Sequence, residues 1–445
     1  MNDNTLILGA KVINEGSIQE TDVLIRKGRI VRIGSERSQE KVTEVNAEGL
    51  YLMPGIIDDQ VHFREPGYTH KADISSESRA AIAGGVTSFM EMPNTKPVAS
   101  TLELLENKYE IASKSSFANY TFYLGATENN LDEIKKIDVK NICGVKIFMG
   151  SSTGNLLVDN QIALENIFRE SPCLIATHCE DEHLFKKRLE EYKVKFCDHI
   201  PAYCHEYIRS AEGCLLSSGR AVALAKKHHS RLHVLHITTA DELKLFNNDI
   251  PLKEKKITSE VCVHHLYFDS EDYEELGNKI KCNPSIKAGK NREALMKGLL
   301  DDRLDIIATD HAPHLLSEKL GNYLDAASGL PLIQHSLQIM LGFYHENLIS
   351  LEEIVRKMCH APAMGFNIKD RGYIREGYFA DLVLFDPNEL SIVSKENILY
   401  KCGWSPLENF QMRGWVHSTY VNGYPIFDRG RFNTFNPGMR LEFER

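Results

Sequence analysis

The sequence has ten cysteines and no CxxC pair among them. That excludes a zinc ribbon, and no disulfide framework is indicated; the scattered thiols, from Cys143, Cys173, Cys179, Cys197 and Cys204 onward, read as small buried hydrophobes kept reduced. No apolar run approaches the length of about 18 residues that a membrane-spanning helix needs. The start, Met1-Asn2-Asp3-Asn4, lacks the basic region of a signal peptide, so a soluble, cytoplasmic protein with no membrane partner is expected. Clusters of lysine and arginine are also missing, and 52 basic residues against 62 acidic ones leave a net charge of -10. Without a basic field to steer it, nucleic acid is not an expected partner. No period of about 20 to 50 residues repeats, which removes solenoids and arrays.

What is present is a 445-residue chain, 42% hydrophobic, long enough for one large domain and a smaller one. Residues 5–12, 22–26 and 29–34 are short β-rich pieces broken by Gly16, Gly28 and Gly34, with too little apolar surface to stand alone. A matching set lies in 380–386 and 418–427, turning at Asn422-Gly423, which predicts one β-sandwich built from both termini, 1–52 and 379–445. Between them, in 53–378, eight β-rich runs recur at 52–61, 86–92, 120–124, 144–148, 173–177, 232–235, 256–261 and 305–309. Amphipathic stretches such as 102–112, 211–228 and 291–300 separate them. The alternation predicts an α/β fold with a parallel sheet, and eight units predict a (β/α)8 TIM barrel. A doubly wound open sheet is the rival architecture.

In such a barrel the reactive groups belong at the C-terminal ends of the strands. Those ends carry Gln60, His62 and Arg64 after the first run, Asn94 after the second, Lys146 in the fourth, His178 after the fifth, His236 after the sixth, and Asp310 and His314 after the eighth. Imidazoles, a carboxylate and a lysine arriving together suit a two-metal hydrolytic site. A buried lysine loses its proton readily, and a neutral amine captures carbon dioxide as an anionic carbamate, so carboxylation of Lys146 is expected; a lysine simply paired with a carboxylate is the alternative. His264 and His265, His228 and His229, and His199 and His205 are expected to be structural or on the surface.

These motifs resemble the dihydroorotases of the amidohydrolase superfamily over nearly the whole chain. The resemblance rests on Pro54-Gly55 through Arg64-Glu65-Pro66-Gly67, Met92-Pro93-Asn94-Thr95, Gly144-Val145-Lys146, Thr177-His178-Cys179-Glu180, Leu235-His236, and Ala308-Thr309-Asp310-His311-Ala312-Pro313-His314 with Lys319. It implies two Zn2+ ions: His62 and Asp310 on the first, His178 and His236 on the second, carboxylated Lys146 between them. It further implies that Arg64, Asn94 and His314 grip a substrate carboxylate, that Asn283 contacts a pyrimidine ring, and that the backbone near Ser328 and Gly329 completes the pocket. His311 is expected to support the site without touching substrate.

Gln60 stands where the family usually has histidine. Its amide oxygen can still coordinate the first metal, water can replace it, or Asp58 or Asp59 can compensate. On this reading a hydroxide bridging two cations opens dihydroorotate to N-carbamoyl-L-aspartate, and Asp310 shuttles the proton. Ring closure in pyrimidine (UMP) synthesis is the reverse. Allantoinase or hydantoinase chemistry, and a non-catalytic partner of aspartate transcarbamoylase, are the alternatives; a homodimer and association with aspartate transcarbamoylase are left open.

Overall fold

The computed structural model describes residues 4–34, 42–151 and 156–445. Eight parallel strand positions alternate with helices. Ile56–Val61, Val86–Glu91 and Asn119–Phe122 form one sheet; Leu124–Gly125, Val145–Phe148, Ile175–His178, Leu232–Val234, Ile257–Cys262 and Ile306–Ala308 form the other. The third strand is shared between them. It breaks at Tyr123, its first half pairing with Val86–Glu91 and its second half with Val145–Phe148. At the other seam, His62 N–H donates to His311 O (2.7 Å) beside a parallel bridge between Val61 and His311. The two sheets therefore meet at both ends, giving the α/β barrel expected from the alternation. Its strands are buried on both faces, as strands covered by helices must be; Ile56–Val61 and Val86–Glu91 are buried at every position.

The chain ends build a single nine-stranded sheet in the order Arg431–Phe432, Tyr424–Asp428, Gln411–Val421, Leu382–Ile392, Tyr51–Pro54, Asn4–Asn14, Ser17–Arg26, Arg29–Ile33, with Thr43–Asn46 also pairing with Asn4–Asn14. It folds around its own small core, which includes Ile7, Val23, Ile25, Leu52, Leu382 and Tyr420. This is the β-sandwich contributed by both termini.

One sequence expectation needs correcting. The run 52–61 is two strands: Tyr51–Pro54 belongs to the terminal sheet and Ile56–Val61 to the barrel. The turn between them is at Gly55, where a Cβ would lie 2.0 Å from Thr87 Oγ1. Continuous apolarity hides the break, because both halves are buried. The helix starts use conventional caps: Thr101, Asp181 and Ser210 accept from Leu104, Leu184 and Gly213 backbone N–H groups, which satisfies first-turn donors that have no intrahelical partner. Among the described residues no helix is long and apolar enough to cross a membrane.

Candidate metal centre and substrate cavity

The strand ends open into a cavity of about 540 Å3 whose walls include Gln60, His62, Arg64, Asn94, Lys146, His178, His236, Asn283, Asp310 and His314. Every site residue singled out in the sequence therefore reaches one space. Three of them, Arg64 (φ 69°), His236 (φ 40°) and Asp310 (φ 44°), have left-handed backbone. That costs a non-glycine residue about 1–3 kcal/mol, a strain that collects at functional positions.

On one side, His178 Nε2 bonds Glu180 Oε2 (3.0 Å), which leaves Nδ1 facing His236 Nε2 at 2.9 Å. Burial alone would raise the Glu180 carboxyl, but Arg209, with Nη1 at 2.7 Å, and His178 outweigh it and hold it at about 2. The Glu180 carboxylate thus fixes the His178 tautomer, as outer partners of ligating histidines do. On the other side, His62 Nδ1 lies 2.7 Å from Asn94 Oδ1, an acceptor, so that nitrogen carries the proton and its Nε2 lone pair faces Asp310 Oδ1 at 3.1 Å. A lone pair opposed to a carboxylate, and two imidazole nitrogens opposed to each other, are each relieved by a cation placed between them. The donor set therefore fits divalent metal.

Lys146 is buried between the two halves and forms no salt bridge among the described residues; its Nζ lies 4.5 Å from the Phe148 ring centroid. Burial pulls its ammonium down to about 7. The alternative of a lysine paired with a carboxylate is not what the structure shows.

Gln60 donates from Nε2 to Asp310 Oδ1 (3.1 Å) and accepts at Oε1 from Cys262 Sγ (3.8 Å). Neither neighbouring acid compensates, for neither lines the cavity. Asp58 accepts from Thr309 Oγ1 (2.5 Å) and Gln60 N (3.2 Å), tying strand one to strand eight, and Asp59 faces His233 Nε2 (3.1 Å).

The far wall is cationic. Arg64 Nε donates to Pro313 O (3.0 Å), and Nη2 lies 3.0 Å from His314 Nε2. Lys71 Nζ donates to His314 Nδ1 (3.1 Å), which leaves Nε2–H for Ser328 O (3.1 Å). Burial, reinforced by Arg64 and Lys71, pushes the His314 imidazole well below its ordinary value, so it stands neutral. Asn283 donates to Ser151 Oγ (2.7 Å) and keeps a buried, unpartnered Oδ1. His311 lies behind the wall: Nε2 bonds Glu77 Oε2 (2.8 Å) and Nδ1 accepts from Leu332 N (3.1 Å).

Sequence reasoning missed Lys71, Glu180 and Arg209 as members of this site. Only Glu180, two residues past His178, carried a signal. Lys319, which closes the last motif, staples two loops together: its buried Nζ donates to Lys281 O (2.8 Å), Ala327 O (2.8 Å) and Gly329 O (3.0 Å). Lys319→Met leaves three carbonyls without that donor and is expected to cost about 2–4 kcal/mol, read as a lower urea midpoint at unchanged slope. His264, His265 and His205 are buried, not on the surface. His264 and His265 form, with Cys262, one of two groups among the described residues with three ligand-type atoms close together; Asp59, His233 and Glu260 form the other. In the second group the His233 imidazole already lies between the two carboxylates, at 3.1 and 3.2 Å.

A family model described as the amidohydrolase family matches residues 51–426. A dihydroorotase of Carboxydothermus hydrogenoformans is 32% identical over 435 residues, covering 94% of this chain and 96% of its own. A dihydroorotase of Methanosphaera stadtmanae is 31% identical over 376 residues, 84% of each chain. Among solved structures, the L-hydantoinase (dihydropyrimidinase) from Arthrobacter aurescens superposes with a TM-score of 0.93 at 23% identity, covering 98% of this chain and 99% of that one. At that identity the likeness speaks for the fold alone.

Proposed function

The chain belongs to the amidohydrolase family, and within it we propose a zinc-dependent dihydroorotase that closes N-carbamoyl-L-aspartate to L-dihydroorotate in pyrimidine synthesis and opens the ring in reverse. One observation carries the choice. Arg64, on the cavity wall, has only Pro313 O and His314 as close polar partners and no salt bridge among the described residues. A guanidinium without a counter-charge is built to take a carboxylate through two parallel bonds. Dihydroorotate and carbamoyl aspartate bring that carboxylate; an unsubstituted hydantoin or dihydropyrimidine ring does not. The curated relatives at about 30% identity carry the dihydroorotase name, which supports the same choice.

Each wall then has a task. Arg64, with His314 held neutral beside it, orients the carboxylate, and the free Oδ1 of Asn283 accepts from a ring N–H. Divalent cations bound among His62, Asp310, Lys146, His178 and His236 supply Lewis acidity and ionise water near neutral pH. In ring closure Asp310 takes the ureido N–H proton as the new N–C bond forms. It passes that proton to the departing carboxylate oxygen, which leaves as water with one further proton from solvent.

Ultraviolet-monitored cyclisation of N-carbamoyl-L-aspartate, run beside a metal assay, tests the proposal. Faster turnover of allantoin or a hydantoin, or no turnover by the Zn2+-loaded protein, overturns it. Arg64→Lys keeps the charge and loses the fork. It is expected to raise KM by about 10- to 100-fold with kcat little changed, the size of a lost charged hydrogen bond.

A further inference from the structure

The two halves of the centre are unequal, and we infer that Gln60 makes them so: its amide is a hydrogen-bond donor to Asp310 and not a ligand, so the chain holds one divalent cation tightly beside His178 and His236 and a second only loosely beside His62. The inference rests on the metal-centre reading above.

On the tight side two ring nitrogens, His178 Nδ1 and His236 Nε2, face each other at 2.9 Å. The first has its tautomer fixed through Glu180, itself clamped by Arg209 at 2.7 Å. The His178 lone pair is thereby aimed and its support is charged, the condition under which an imidazole ligand binds best, and His236 Nε2 stands beside it.

On the loose side Asp310 Oδ1 already has Gln60 Nε2 at 3.1 Å. Which end of the amide faces the carboxylate is settled by Asp310, whose Oδ1 is an acceptor only; Cys262 Sγ, 3.8 Å from Oε1, can donate or accept. Turning the amide over would set its oxygen against a carboxylate oxygen and lose the bond to Asp310. The one atom of Gln60 able to coordinate a metal is therefore directed toward buried Cys262. No other acid fills in, because Asp58 is engaged by Thr309 and Asp59 by His233. Asp310 Oδ1 is therefore shared with an N–H that competes for the lone pairs a cation would use, and the ion beside His62 is the one held loosely.

The test is stoichiometric. Protein loaded with Zn2+ is dialysed exhaustively against metal-free buffer and its metal measured per folded chain. Apoprotein is titrated with Co2+ and followed by visible absorption. The expected result is one retained ion, with a Co2+ break at one equivalent and a second site weaker by about 10-fold or more. Gln60→His, which places a nitrogen donor there, is expected to retain two ions. Gln60→Leu, folded by circular dichroism, is expected to retain one. Two firmly held ions in the unaltered chain overturn the inference, as does a single ion in Gln60→His or a metal-free folded Gln60→Leu. No bound metal in either the unaltered chain or Gln60→His overturns instead the metal-centre reading on which the inference rests.

Discussion

Asp310→Asn is expected to lower kcat by about 10²- to 10⁴-fold, the range that a positioned acid–base group contributes, while the dissociation constant for dihydroorotate stays within a few-fold. The substitution nearly conserves shape. The introduced amide would still present an oxygen to Gln60 Nε2, which now bonds Asp310 Oδ1 at 3.1 Å, and the far wall of Arg64, Lys71 and His314 is untouched. What disappears is the capacity to take a proton. With Gln60 Nε2–H donating to it, the Asp310 carboxyl stands ionised at neutral pH, in the form a base needs. Stopped-flow binding beside steady-state rates separates the two effects. Turnover retained at near its original level would remove Asp310 from the proton path, and binding lost in parallel with turnover would make it a structural residue.

The strand ends were legible because six of the eight apolar runs carry a polar residue in or just after them, and a closed barrel can send those residues to only one rim. His62, Lys146, His178, His236 and Asp310 come from five different runs and line one cavity. The groups that set their chemistry were not legible. Arg209 reaches Glu180 from beyond a helix, and Cys262 meets Gln60 across 202 positions of sequence; no periodicity links such pairs. Lys71 sits in the loop after Arg64, where a lysine reads as a solvated charge until its contacts with Glu318 (2.7 Å) and His314 are seen. The split at Gly55 was hidden for a different reason. Both strands it separates are buried, so the apolar pattern runs on unbroken, and only close approach to Thr87 reveals why the residue is glycine.

Lys146→Ala is expected to lower kcat by about 10³-fold or more and to release bound metal, because the proposed function makes this buried lysine a metal ligand. The carbamate reading makes a sharper demand. A buried amine with no carboxylate partner has its ammonium pulled down to about 7, so an appreciable neutral fraction exists at physiological pH. That amine attacks the carbon of CO2: an N–C bond forms, one C–O π pair moves onto oxygen, and the nitrogen loses a proton to solvent. The product is an anion with two oxygens where a cation had been, and it removes the repulsion that an ammonium would impose on metal ions beside it. Two results follow that a bare lysine does not give. Intact mass of the metal-loaded protein, measured without acid, carries the added mass of CO2 at Lys146. A short carboxylic acid such as formate or acetate partly restores activity to Lys146→Ala by occupying the vacated space with a free carboxylate, while methylamine does not. Rescue by the amine, or an unmodified mass in active protein, would instead assign Lys146 to the centre as a simple ammonium.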